Sequence, residues 1–204
     1  MSTPRKTPRQ QRSEFTFEAI LDAAARLFHR HGYAGTTTNK VAELAEVSIG
    51  TLYHYVPNKD ALLYALAERH LRQGVHSLAD VVASLRADEP PLDETVRRLV
   101  TAFVDLHTAQ PQLHRLLWDQ SPRTPEGIDQ LRQLERALAD EVEYHLRRLE
   151  VGGADPGLTA LLAVQAVEAQ IHGTVLAPPG GRTTEECVAA VIDNCVGSFS
   201  RQWM

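Results

Sequence analysis

Ser48, Ile49, Gly50, Thr51 and Tyr53 are the side chains of this 204-residue chain whose types and spacing point most directly to chemistry. They lie in the run TTTNKVAELAEVSIGTLYHYVPNKDALL, residues 36–63. Small residues let a helix backbone approach another surface closely. Hydroxyls can donate to anionic oxygens. A short uncharged helix of this make-up suits the major groove of duplex DNA, where base edges and phosphates must be met at close range. Thr51, Tyr53 and Tyr55 are expected to face phosphates. Asn58 and Lys59 open the next helix, where free backbone amides and an ammonium favour an anion. The bland alternative is a small core helix with a tyrosine pair in packing contacts.

The elements that must hold these residues are helical. Phe17, Ile20, Leu21, Ala24, Leu27 and Phe28 recur at spacings of three and four, which predicts a first helix from about Thr16 to His31, stopped by Gly32. Thr37 or Thr38 caps a second helix with Val41, Ala42, Leu44 and Ala45 inward. A turn at Glu46–Val47 leads to Ser48, which caps a third helix from Ile49 to about Tyr55. Pro57 ends it, because the residue before proline disfavours the helical region. The fourth helix runs from Asn58 to Pro90–Pro91, and Gly74 is expected to permit a kink. Helices five to nine are expected at about 93–109, 111–118, 125–150, 155–178 and 184–203. No segment has strand alternation with hairpin turns.

Net charge is −5, yet its distribution is uneven. Residues 1–60 hold eight Lys/Arg and six Asp/Glu, and the first twelve residues hold four basic side chains and no acid. A mildly basic head on an acidic body lets one end approach a polyanion. No run of 18 uncharged apolar residues exists, and the opening MSTPRKTPRQQR lacks the apolar core of a secretory signal. The two cysteines, Cys187 and Cys195, sit eight apart on one predicted helix and fit a reducing compartment. A cytoplasmic protein is expected.

The stretch AILDAAARLFHRHGYAGTTTNKVAELAEVSIGTLYHYVPNKDALL, residues 19–63, resembles the N-terminal domain of the tetracycline-repressor (TetR) family of bacterial regulators. The resemblance implies an all-α fold of about nine helices. A flexible basic arm (1–12) would precede a three-helix helix-turn-helix DNA-binding domain (13–60). A helical effector-binding and dimerisation domain (61–204) would follow. It also implies a repressor that binds a palindromic operator in double-stranded DNA as a homodimer and leaves it when a small-molecule effector binds. Carried over by position, Thr37, Thr38, Asn39, Ser48, Ile49, Gly50, Thr51, Tyr53, His54 and Lys59 would meet DNA. Phosphate contacts would set register and base contacts sequence choice. Two positions depart from the family pattern. Glu46 stands where the turn commonly has glycine, and Val56 where phenylalanine is frequent. If the turn needs positive φ, glutamate there costs roughly 1 kcal/mol and points a negative charge toward DNA.

In the body, the eighth and ninth helices are apolar around much of their surface. Leu161, Val164, Ile171, Val188, Val191, Ile192, Cys195 and Phe199 are the expected dimer interface, in a four-helix arrangement about a two-fold axis. Phe103, His107, Trp118, Tyr144, His145, Gln165, Glu168 and His172 are large or polar residues on mostly apolar helices, and are the candidate effector pocket. No histidine spacing with supporting cysteines or carboxylates marks a metal site, and no cofactor is expected. No glycine-rich phosphate loop or nucleophile elbow appears, so an enzyme is not expected. The alternative reading is a helical protein-interaction module whose DNA binding is weakened or lost, toward which Glu46 leans.

Overall fold

The computed structural model describes residues 8–109, 111–120 and 125–200. Among these every regular element is helical: α1 (Pro8–Gly35), α2 (Thr38–Leu44), α3 (Ile49–Tyr55), α4 (Lys59–Asp88), α5 (Leu92–Thr108), α6 (Pro111–Gln120), α7 (Pro125–Arg148), α8 (Pro156–Gln170) and α9 (Thr184–Ser200). None is long and apolar enough to cross a membrane. The first seven residues of the expected arm, and Trp203, lie outside the described residues. The chain forms two compact units that meet in sequence at Leu71–Arg72, within α4, with α6 from Gln112 belonging to the first.

The first unit is built on short capped helices. α1 begins at Pro8 rather than at Thr16; proline's fixed φ suits a first helical turn. Gly32 breaks it at φ 66°, ψ 178°, at the stop expected after the apolar stripe. Thr37, not Thr38, caps α2, accepting from Lys40 N at 3.3 Å. Ser48 caps α3, accepting from Thr51 N at 3.0 Å. Asn58 Oδ1 accepts from Ala61 N at 2.8 Å. Ile20, Leu21, Ala24, Phe28, Val41, Leu52, Val56, Leu62 and Leu63 fill the core between these helices. Val56, smaller than a phenylalanine, is buried there without leaving the core.

The turn between α2 and α3 closes as a Schellman motif. Val47 N donates to Ala42 O at 3.0 Å and Glu46 N to Glu43 O at 3.1 Å. Glu46 therefore sits left-handed, at φ 56°. Glu150 repeats the device after α7, with φ 55° and Val151 N donating to Leu146 O at 3.0 Å.

The second unit packs α7 on α8 and α5 on α9. Val96, Val100, Val104, Leu146, Ala160, Val167, Ile171, Val191, Cys195 and Phe199 form its core. Gly74 has a different role from the expected kink. α4 runs unbroken past it, and a Cβ there would lie 2.3 Å from Leu106 Cδ2, so the glycine permits close approach of α5. α8 does not continue to Pro178. It ends at Gln170 and passes into a π-helical turn, Ile171–Val175, in which Leu176 N donates to Ile171 O at 3.0 Å.

Glu46→Gly should stabilise the protein by about 1 kcal/mol, because glycine carries no Cβ penalty at positive φ. Glu46→Ala should give no such gain. Urea denaturation of the two variants checks this, and a destabilised glycine variant would contradict it.

Candidate functional site

α3 is seven residues long. Its inward face is Leu52, fully buried, with Val56 next on the same stripe. Gly50 and His54 fall on the opposite face, Ile49 and Tyr53 flank the buried stripe, and all four are exposed. Ile49 and Tyr53 keep 39% and 49% of their surface, large fractions for apolar and aromatic side chains without a partner in the unit's core. Ser48 Oγ lies 2.8 Å from Thr51 Oγ1, and Thr38 Oγ1 lies 3.0 Å from Tyr53 OH. The second contact ties the start of α2 to α3 and orients the tyrosine. Thr37 and Asn39 are exposed beside it, and Thr38 is half-buried. Nine of the ten sequence-selected residues thus lie on or beside the capped starts of α2 and α3 or on the exposed face of α3.

Lys59 is placed differently. Its ammonium donates to Tyr33 O at 2.8 Å and Thr36 O at 3.1 Å, and lies 4.0 Å from the Tyr33 ring centroid. It clamps the segment after Gly32 to the start of α4, with one N–H left over. Tyr33 OH donates to Asp60 Oδ1 alongside. Burial, and then Asp60, push the Tyr33 phenol up to about 12. Tyr55 also turns inward: it stacks on Phe17 at 5.5 Å, and its OH lies 3.0 Å from Ser13 Oγ. Its position three residues after Leu52 carries that signal. Lys40 was not singled out from the sequence. It is exposed on α2, its ammonium donating to Gly35 O at 3.0 Å.

In the second unit a cavity of about 70 Å³ is lined by Leu78, Val96, Leu99, Val100, Phe103, Leu138, Glu141, Val142, Ala163, Val164, Val167, Cys195 and Phe199. Of the eight expected pocket residues only Phe103 lines it. Trp118, on α6 in the first unit, is exposed. Tyr144 faces outward under the Arg86 guanidinium, 4.6 Å from its ring centroid. Gln165 is exposed and donates to Glu135 Oε1 at 2.5 Å. His145 is buried behind the cavity wall. His107, Glu168 and His172 form their own cluster, with Glu168 Oε2 3.4 Å from His107 Nε2 and Oε1 3.2 Å from His172 Nε2. Burial works to raise the Glu168 carboxyl, but pairing with His107 and His172 outweighs it and holds the group at about 2.

Glu141 is the polar wall residue that sequence reasoning missed. Arg86 Nε donates to its two oxygens at 3.0 and 3.1 Å. His145 Nε2 is 3.2 Å from Glu141 Oε1, yet it is not aligned to donate and remains without a hydrogen bond. Burial pushes the His145 imidazole below its usual range, which keeps that ring neutral. Burial also pushes the Cys195 thiol up to about 11, so it behaves as an apolar wall group.

Four expected interface residues need correction. Ile171, Val191, Cys195 and Phe199 lie in the core of the second unit and have little surface left for a partner. Leu161, Val164, Val188 and Ile192 remain half-exposed, Val164 toward the cavity. Leu158 and Leu162, at 53% and 55% exposure, are the bare apolar side chains of α8.

Lys59→Ala should lower stability by about 1–3 kcal/mol, because two carbonyls lose a charged donor. Thermal or urea unfolding measures this directly. An unchanged midpoint would show the clamp to be dispensable.

The family model described as bacterial regulatory proteins, tetR family, matches residues 20–66. That of the tetracyclin repressor-like C-terminal domain matches residues 91–196. The HTH-type transcriptional regulator RutR of Escherichia coli is 32% identical over 125 residues, which cover 61% of this chain and 57% of RutR. The HTH-type transcriptional repressor NicS of Pseudomonas putida is 26% identical over 158 residues, 78% of this chain and 72% of NicS. A TetR/AcrR-family regulator from Thermobifida fusca superposes with TM-score 0.71 at 17% identity, covering 91% of this chain and 98% of that one, a likeness of fold. The two family models cover complementary parts of one polypeptide, and the first spans the capped helices described above; the chain belongs to the tetR family of bacterial regulatory proteins.

Proposed function

We propose that the chain is a DNA-binding transcriptional regulator, most simply a repressor, that binds a palindromic operator as a homodimer and is released by a small-molecule effector. One observation carries the reading: the face of α3 opposite buried Leu52 is bare, uncharged and rimmed by hydroxyls. Ile49, Gly50 and Tyr53 would enter the major groove. Thr37, Thr38, Ser48, Thr51 and His54 would meet backbone phosphates, with Asn39 within reach of a base edge. Lys40 joins this set, and Lys59 keeps one donor for a phosphate while serving mainly as a clamp. The relatives' names, a transcriptional regulator and a transcriptional repressor, agree with this assignment. An enzymatic role finds no support in those names. The apolar lengths of the described helices fit a cytoplasmic location.

The effector would be apolar, since all but one of the cavity's lining side chains are apolar. The cavity is far smaller than the roughly 300–1,000 Å³ of common ligand pockets, so a larger effector must select a more open conformation. Whatever it is, operator DNA should weaken its binding by the same factor by which it weakens operator binding. The partner surface would lie on α8 and α9, where Leu158, Leu162, Val188 and Ile192 stay at least partly exposed.

Duplex DNA from the region upstream of the protein's own coding sequence is the probe. Binding should fall steeply with added salt. Tyr53→Ala should weaken specific binding by about 1–3 kcal/mol with the fold intact. No binding at low salt would favour the protein-interaction reading, to which an acidic Glu46 in the turn is better suited.

The dimer has its own check. Sedimentation at micromolar concentration should show a dimer, and Leu162→Glu a monomer with much weaker operator binding. A wild-type monomer, or an unaffected variant, would move the interface elsewhere.

A further inference from the structure

We infer that His107, Glu168 and His172 form a binding site for a divalent transition-metal ion, zinc-like in preference. The inference does not depend on DNA binding. His107 stands near the end of α5, while Glu168 and His172 stand one turn apart where α8 becomes the π-helical turn. The spacing of four on the helix puts the carboxylate and the second imidazole on one side. The packing of α5 against that turn brings the first imidazole to them.

Three features of the cluster suit a metal. First, His107 Nδ1 lies 2.6 Å from Phe103 O. A carbonyl oxygen only accepts, so Nδ1 carries a proton, and Nε2 is the ring nitrogen that faces Glu168. That is the outer-shell arrangement by which metal-bound histidines are oriented. Second, Glu168 Oε2 is 3.4 Å from His107 Nε2, and Oε1 is 3.2 Å from His172 Nε2. Ligands bound at about 2.0–2.2 Å in tetrahedral arrangement stand about 3.3–3.5 Å apart. An imidazole lone pair facing a carboxylate oxygen at that range requires a cation between them, either a proton or a metal ion. Third, access is graded. The His107 side chain keeps 6% of its surface and His172 16%, while Glu168 keeps 34%, so an ion can enter past the carboxylate.

Two imidazoles and one carboxylate favour zinc, copper, nickel or iron over calcium or magnesium. A bound ion would cross-link α5 to the end of α8.

The full chain, stripped with a chelator, is titrated with Zn²⁺ by calorimetry and with Co²⁺ by visible absorption. The expected result is one saturable site per chain, with the intense visible bands of low-coordinate Co²⁺ and a raised unfolding midpoint with Zn²⁺. His172→Ala and Glu168→Gln should each weaken binding at least tenfold and abolish the Co²⁺ bands. His76→Ala, altering an exposed histidine elsewhere on α4, should change nothing. If either site variant fails to fold, His107→Gln serves as the third probe. Absence of a saturable site, or equal affinity in wild type and folded site variants, overturns the assignment. Loss in His76→Ala alone would show adventitious surface binding and overturn it as well.

Discussion

Burial of Leu52 is the constraint on which the exposed face of α3 depends. A seven-residue helix has no stability of its own in water. α3 persists because Leu52 and Val56 sit in the core formed by α1, α2 and the start of α4, and because Ser48 supplies its first missing hydrogen bond. Burying a leucine is worth about 1.5–3 kcal/mol, and a cap about 1 kcal/mol. With that one stripe fixed inward, helical geometry turns Gly50 and His54 outward and leaves Ile49 and Tyr53 on the flanks, where they stay exposed. The exposed set follows from the anchored one. Lys59, Tyr33 and Asp60 then hold the preceding segment, so the start of α2 and its link from Thr38 to Tyr53 keep their place.

Much of this unit was legible in the sequence because caps and apolar periods are local signals. Ser48, Asn58 and Asp155 cap where their types and neighbours say they should, and Gly32 breaks α1. Glu46 at φ 56° shows that the turn does demand the left-handed region, so the departure from glycine carries a real conformational cost. Other features depend on what lies across the fold. Lys59 reads as a phosphate contact until the Tyr33 and Thr36 carbonyls are found beside it. The early start of α1 carries no apolar stripe by which to see it.

The second unit was harder to read, for a physical reason. A polar residue on an apolar helix signals an exception without saying which way the side chain turns. Gln165 and Tyr144 turn outward to Glu135 and Arg86, while Glu141, an ordinary surface type, turns inward to the cavity. α8 is apolar all round, so its stripe cannot tell core from interface. The structure separates them: Ile171 and Val167 lie inside, Leu158 and Leu162 outside. The π-helical turn after Gln170 has no sequence mark at all, yet it carries His172 to Glu168 and His107.

The most direct measurement of the central claim is amide hydrogen exchange on the full chain, with and without duplex DNA from upstream of its own coding sequence. The account predicts new protection confined to the start of α2, around Thr38–Lys40, and to α3 from Ile49 to Tyr53. Protection absent there in a chain that nonetheless binds the DNA, or appearing on α8 and α9 in its place, would contradict it.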